Sequence, residues 1–242
     1  MSESVWFKAV ENLKKYVVRI ETPTCHGTGF LVPAPAGRGN VRCIVTAFHV
    51  VEHADEWQEP IRIVHPEFNR VVFLGPQQRF VIRQRDRDQA VIHFSAAMLS
   101  APAKDLVFAE EDTHYVDGVE LGWLGFPSVA PNNECFFHGY ISSFWEDKEA
   151  YLVDGVAING VSGGPAFILK NNGECEVVGL VAEYHPNVSA GKPLPGMTVV
   201  RSINPLIKYY KSELKKFKTA QLEAASIQKN LEPRAAVTNK QG

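Results

Sequence analysis

Ser162 lies in Asn159-Gly160-Val161-Ser162-Gly163-Gly164-Pro165, between an extended run and the apolar run AFILK. Small residues on both sides let a substrate backbone approach the hydroxyl. The conformational freedom of Gly160 lets its N–H point with that of Ser162 toward a developing oxyanion. A plain glycine turn explains the same residues, so the serine needs company. Thr46-Ala47-Phe48-His49-Val50-Val51 offers a general base, His49, where a strongly β-forming run ends and a histidine can face a cleft. An orienting acid follows in Asp88-Gln89-Ala90-Val91-Ile92. Asp86 is its rival, but it sits inside the charged run RQRDRD, whereas Asp88 can lay one face of its carboxylate against the apolar residues that follow. Nucleophile, base and orienting acid are the parts needed for acyl transfer.

G-V-S-G-G also fits the nucleophile elbow of α/β-hydrolases, which would make the chain an esterase or lipase. The order of residues excludes it: no Asp follows Ser162, and only His185 follows it among the histidines.

These residues need a rigid frame, and from Tyr16 to Arg201 the chain supplies one in short runs rich in Val, Ile, Phe and Thr, such as YVVRIE, VRCIVT, QAVIHF, CFFHGYIS and CEVVGLVAE. The segments between them, PAPAGRGN, GFPSVAPNN, KNNG and SAGKPLPG, are the punctuation of hairpins. About a dozen strands without intervening helices predict a sandwich or barrel. Residues 1–16 form an N-terminal helix, with Trp6, Ala9, Val10, Leu13 and Tyr16 at helical spacing and Ser2 or Ser4 as N-cap. Asn204-Pro205 opens a C-terminal helix over 204–222, striped by Leu206, Ile207, Tyr210, Leu214 and Phe217, and 223–242 is a flexible tail.

A chain of 242 residues, 45% hydrophobic and 21% charged, is ordinary for one soluble globular domain. The opening MSESVWFKAVENLKKYVV has no long apolar core, and no run approaches membrane-span length, so a cytoplasmic protein is expected, without leader or membrane span. Cys25, Cys43, Cys135 and Cys175 are spaced too widely for zinc and read as free thiols, with a Cys25–Cys43 pair across a hairpin left open. The net charge is -2, yet residues 208–242 carry eight basic side chains against three acidic ones, leaving 17 basic and 24 acidic elsewhere. A solvated helix face accounts for that tail, and no nucleic-acid partner is expected.

The chain order His, Asp, Ser carries a resemblance over residues 17–209. GTGFLV (27–32) resembles the strand before the histidine in the trypsin/chymotrypsin superfamily, TAFHVV its TA-x-H motif, DQAV its D-x-A-[VL], and GVSGGP its G-[DN]-S-G-G-P. Gly125-Phe126-Pro127 and Val178-Gly179-Leu180-Val181 also fall where that family has them. In style the chain is closest to bacterial HtrA-like peptidases, with no room for a following PDZ domain. The resemblance implies an all-β fold of two six-stranded antiparallel β-barrels over 17–203 with a short helix at each end. It also implies a serine endopeptidase with a His49-Asp88-Ser162 triad, an oxyanion hole from Gly160 and Ser162, a protein or peptide substrate, and neither metal nor cofactor. The pocket falls on Val156, Ala157 and Ile158, bordered by Val181, Ala182 and an outward-pointing Glu183, and implies a small-to-medium apolar residue before the scissile bond. Val161 departs from the family's Asp or Asn. The oxyanion loop is then held by packing of Val161 or by substrate, without proteolytic activation, or else it is collapsed and latent. The competing function is a catalytically silent protease-like module that binds extended peptides by strand addition near 181–184.

Overall fold

Alternation along Val17–Glu21 buries Val18 and Ile20 while Arg19 and Glu21 stay partly exposed, and this strand, β1, begins the first of two β units. In the computed structural model, which describes residues 5–32, 39–189, 192–209 and 212, β1 is joined by β2 (His26–Val32), β3 (Val41–Ala47), β4 (Ile61–His65), β5 (Arg70–Leu74), β6 (Arg79–Gln84) and β7 (Gln89–Ser95). They form one antiparallel sheet in the order β5-β4-β1-β2-β3-β7-β6. This sheet has one strand more than the six expected, and it stays open between β5 and β6. Those edges are joined directly through residues 75–78, where the Arg79 guanidinium of β6 bonds Leu74 O of β5 at 2.6 Å. The second unit is a closed barrel, ordered β10-β13-β12-β11-β8-β9, of β8 (Glu120–Gly125), β9 (Cys135–Trp145), β10 (Ala150–Asp154), β11 (Pro165–Leu169), β12 (Cys175–Ser189) and β13 (Lys192–Ser202).

Phe30, Ile44, Ile61, Ile63 and Leu74 fill the first unit, and Trp123, Phe126, Tyr151 and Phe167 fill the second, all essentially fully buried. Each such side chain is worth about 1.5–3 kcal/mol of burial. Helix α1 (Val5–Leu13) buries Trp6, Ala9 and Leu13 along one stripe, with the Trp6 ring 5.3 Å from that of Phe136 and 5.6 Å from that of Phe167, so it covers the second barrel. Residues 204–209 and 212 are helical; the rest of the expected C-terminal helix and the tail lie outside the described residues, as do Ser2 and Ser4.

One expectation is corrected. A helix does interrupt the strands: α2 (Phe48–Glu56) starts where β3 ends, because Val50, Val51 and Ala54 are buried at helical spacing although β-branched residues crowd the segment. The Cys25–Cys43 disulfide that the sequence left open is not formed, and none of the four cysteines is in a disulfide. Cys43 lies opposite Val32 at one end of β2, whereas Cys25 precedes the other end.

Candidate active site

His49 is the second residue of α2, on the exposed side of a helix whose buried face holds Phe48, Val50 and Val51 against the first sheet. Near a helix N-terminus its backbone N–H has no intrahelical acceptor. Asp88 supplies one from the turn between β6 and β7. Its Oδ1 accepts from His49 N at 2.9 Å, its Oδ2 pairs with His49 Nδ1 at 2.7 Å, and its carbonyl accepts from Phe48 N at 3.1 Å. Asp88 reaches this position in the left-handed region (φ 51°, ψ 45°), closing the 3-10 turn Arg85–Arg87. Asp is among the few residues that accept that conformation readily. Asp86, inside the 3-10 turn, is exposed.

Burial pulls the His49 imidazole toward the neutral form. The Asp88 hydrogen bond and charge, followed by the charges of Glu183 and Glu52, more than offset this and leave its pKa raised above the ordinary value of 6.5.

Ser162 belongs to the second unit, in the tight loop before β11. Gly163, at φ +86°, fits only as glycine: a Cβ there would lie 2.1 Å from Thr28 O and 2.3 Å from Thr46 Oγ1. Gly163 N donates to Val181 O at 2.6 Å and Val181 N to Gly164 O at 2.9 Å, strapping the loop to β12. Thr28 N donates to Ser162 O at 2.8 Å, tying the loop to β2 of the first unit. Just upstream, Val161 N donates to Ile158 O at 3.0 Å across a four-residue turn. Gly160, third in that turn, has φ +93°, and Asn159 is not among the residues of positive φ, which together make a type II turn. Thr28 Oγ1 donates to Gly160 O at 2.8 Å, and Phe126 N to Thr28 Oγ1 at 3.0 Å. Val161 is fully buried.

His49, Asp88 and Ser162 line one cleft of about 460 Å³ between the units. Of the pocket residues expected from sequence, Ala157, Ile158, Val181, Ala182 and Glu183 share its wall. Val156 is exposed and outside it. The Glu183 carboxylate belongs to this cleft instead of pointing away. It lies 3.4 Å from the largely buried Arg201 guanidinium and 3.6 Å from His185 Nε2. Asn159, Tyr184 and Arg201 complete the wall. Arg201 escaped the sequence reading, and its one signal was a charge inside the apolar run MTVVRS. Among the described residues no group of three or more His, Cys, Asp or Glu is arranged to hold a metal.

A histidine buttressed by a carboxylate, lining one cleft with a serine in a glycine-rich loop between two β units, matches the class of chymotrypsin-like serine peptidase folds. The family description "Trypsin-like peptidase domain" matches residues 27–180, and the chain belongs to that family. Among solved structures it is similar to Deg5, with a TM-score of 0.61, 16% identity and coverage of 86% of this chain and 94% of that one. It is also similar to the Rv3671c protease in an inactive form, at TM-score 0.55 and 20% identity over 82% and 89% of the two chains. A serine-to-alanine mutant of Rv3671c from M. tuberculosis H37Rv, also an inactive form, gives TM-score 0.55 and 18% identity over 86% and 90%. At these identities the likeness is one of fold. No curated protein matches the chain. A peptidase domain implies a protein substrate, and among the described residues no helix is long and apolar enough to cross a membrane.

Proposed function

We propose that this protein is a serine endopeptidase that hydrolyses peptide bonds through an acyl-enzyme on Ser162. The observation that carries the reading is the double grip of Asp88 on His49, at 2.7 Å on Nδ1 and 2.9 Å on the backbone N–H, in the cleft that Ser162 also lines. With Nδ1–H held by the carboxylate, the lone pair of His49 is on Nε2. There it takes the Ser162 proton as Oγ bonds the scissile carbonyl carbon. The Gly160 and Ser162 N–H groups receive the developing oxyanion. Collapse breaks the C–N bond, and Nε2–H passes its proton to the leaving amine. Water, deprotonated by the same nitrogen, then releases the acid and restores the serine.

The residue before the scissile bond is small to medium and apolar, since Ala157, Ile158, Val181 and Ala182 bring no charge to the cleft and Glu183 is already answered by Arg201. An unpaired basic side chain buried there would be costly. Four cysteines with no disulfide among them favour a reducing, cytoplasmic setting.

The test is labelling by a fluorophosphonate probe together with hydrolysis of a peptide library, on wild type and Ser162→Ala. Both signals are expected in wild type and neither in the variant. An unlabelled wild type that still bound peptides would replace this reading with that of a silent peptide-binding module.

A further inference from the structure

The Asn159 carbonyl, in the peptide that carries the Gly160 N–H, is held from the loop after β8 by two donors. These are Ser128 N at 2.6 Å and Ser128 Oγ at 2.7 Å. Ser128 Oγ also lies 3.0 Å from His26 Nε2. A hydroxyl has one proton, and this one is committed to Asn159 O, so the ring nitrogen is the donor in that contact. No peptide bond among the described residues is cis, and in a trans unit the N–H points opposite to the C=O. Drawing Asn159 O toward Ser128 therefore turns the Gly160 N–H away from Ser128. The alternative, a type I turn, needs Gly160 at negative φ and reverses this peptide, putting the carbonyl where the donor stood. A Cβ on Gly160 would lie 2.3 Å from Phe126 O, 2.9 Å from His26 Nε2 and 3.1 Å from Ser128 N, so both clamp groups stand close beside that glycine.

We propose that His26 and Ser128 are positioning residues that hold the Asn159–Gly160 peptide in the orientation that offers the Gly160 N–H to the oxyanion. The proposal rests on the serine peptidase reading for its consequence, but the clamp itself is a matter of peptide orientation. It joins two clefts: Asn159 lines the one with Ser162, while His26 and Ser128 line a neighbouring one of about 550 Å³ with Arg19, Cys25 and Asn132. Neither clamp residue touches the reacting atoms. Their effect falls on the transition state, where the oxyanion exists, and not on ground-state binding.

The experiment compares wild type, Ser128→Ala, Ser128→Thr and the double variant His26→Ala/Ser128→Ala. Loss of one exposed hydrogen bond is expected to lower kcat about tenfold in Ser128→Ala with KM unchanged. The double variant should fall further, toward the roughly 10²- to 10³-fold loss of a whole oxyanion donor. Affinity for a peptide boronate, which presents an oxyanion mimic, should fall in parallel, while substrate affinity measured on the Ser162→Ala background stays constant. Ser128→Thr, which keeps the hydroxyl, restores both. Crystal structures supply a readout that needs no turnover: in the double variant the Asn159–Gly160 peptide should occupy both orientations. A peptide unmoved there, with Gly160 solely at positive φ, overturns the proposal, as does a rise in KM matching the fall in kcat. If Ser162 is never labelled in wild type, the peptidase reading fails by itself, and the peptide orientation still decides whether the clamp exists.

Discussion

Replacing Asp88 by Asn isolates the role of its charge. The substitution keeps the backbone, because Asn shares with Asp a tolerance for the left-handed conformation found at this position (φ 51°). It also keeps an oxygen acceptor for the His49 backbone N–H, which stands 2.9 Å from Asp88 Oδ1. The change falls on the other oxygen, 2.7 Å from His49 Nδ1. There the amide presents N–H instead of an acceptor, so Nδ1 must become the acceptor and the imidazole proton moves to Nε2. A ring protonated on Nε2 cannot take the Ser162 proton. Loss of the triad acid in serine peptidases costs about 10⁴ in turnover, or about 5.4 kcal/mol of transition-state stabilisation at 1.36 kcal/mol per decade. Removing the Asp88 charge also removes the foremost influence raising the His49 pKa, so the residual activity should rise at lower pH than in wild type. The assay is pre-steady-state acylation by a chromogenic peptide ester across pH, with a thermal melt to show that folding survives. An Asp88→Asn protein within tenfold of wild type, alongside a strong loss in Asp86→Asn, would refute the assignment.

Three further outcomes follow from the geometry. In wild type, kcat/KM should rise with pH through a midpoint above the reference imidazole value of about 6.5, since only neutral His49 acts as base and its pKa is raised. Glu183→Gln removes a negative charge that favours the imidazolium and should move that midpoint to lower pH; an unmoved profile would detach Glu183 from His49. Gly163→Ala combines a positive φ with a Cβ placed 2.1 Å from Thr28 O, and should cost about 2–5 kcal/mol in chemical denaturation. A loss below 1 kcal/mol would mean that the nucleophile loop is not pinned between the two units.

The candidate site was legible in sequence because His49, Asp88 and Ser162 each sit beside residues whose types are constrained by local geometry, and the structure brings all three to one cleft. The glycines around Ser162, the β-forming run before His49 and the apolar strand after Asp88 are short-range signals that survive without the fold. What escaped the reading is long-range or periodic in a misleading way. Phe48–Glu56 contains Val50 and Val51 directly after a β run, and only burial of Phe48, Val50, Val51 and Ala54 on one face reveals a helix. Glu183 was expected outside on strand alternation, but β12 and β13 shift register between Val181 and Glu183, so simple alternation fails at that residue. Ser128 and His26 lie 102 residues apart in sequence, and nothing in either segment announces that they meet.

Val161 shows why the glycine-rich loop here does not need the acid that the resemblance leads one to expect. Its side chain is fully buried, and Gly125 on β8 makes the room: a Cβ at Gly125 would come within 2.8 Å of Val161 Cγ1. Thr28, also fully buried, bonds the Gly160 carbonyl at 2.8 Å on one side of this loop, and Ser128 bonds the Asn159 carbonyl on the other. Successive carbonyls of the loop are thus held by neutral donors from two different segments while the valine anchors the turn in the core. A carboxylate at the same position would be desolvated without a partner in this packing, at a cost of several kcal/mol. Apolar anchoring and charge-pair anchoring are therefore alternative solutions to one problem, the orientation of a single peptide. Only the second requires a buried cation.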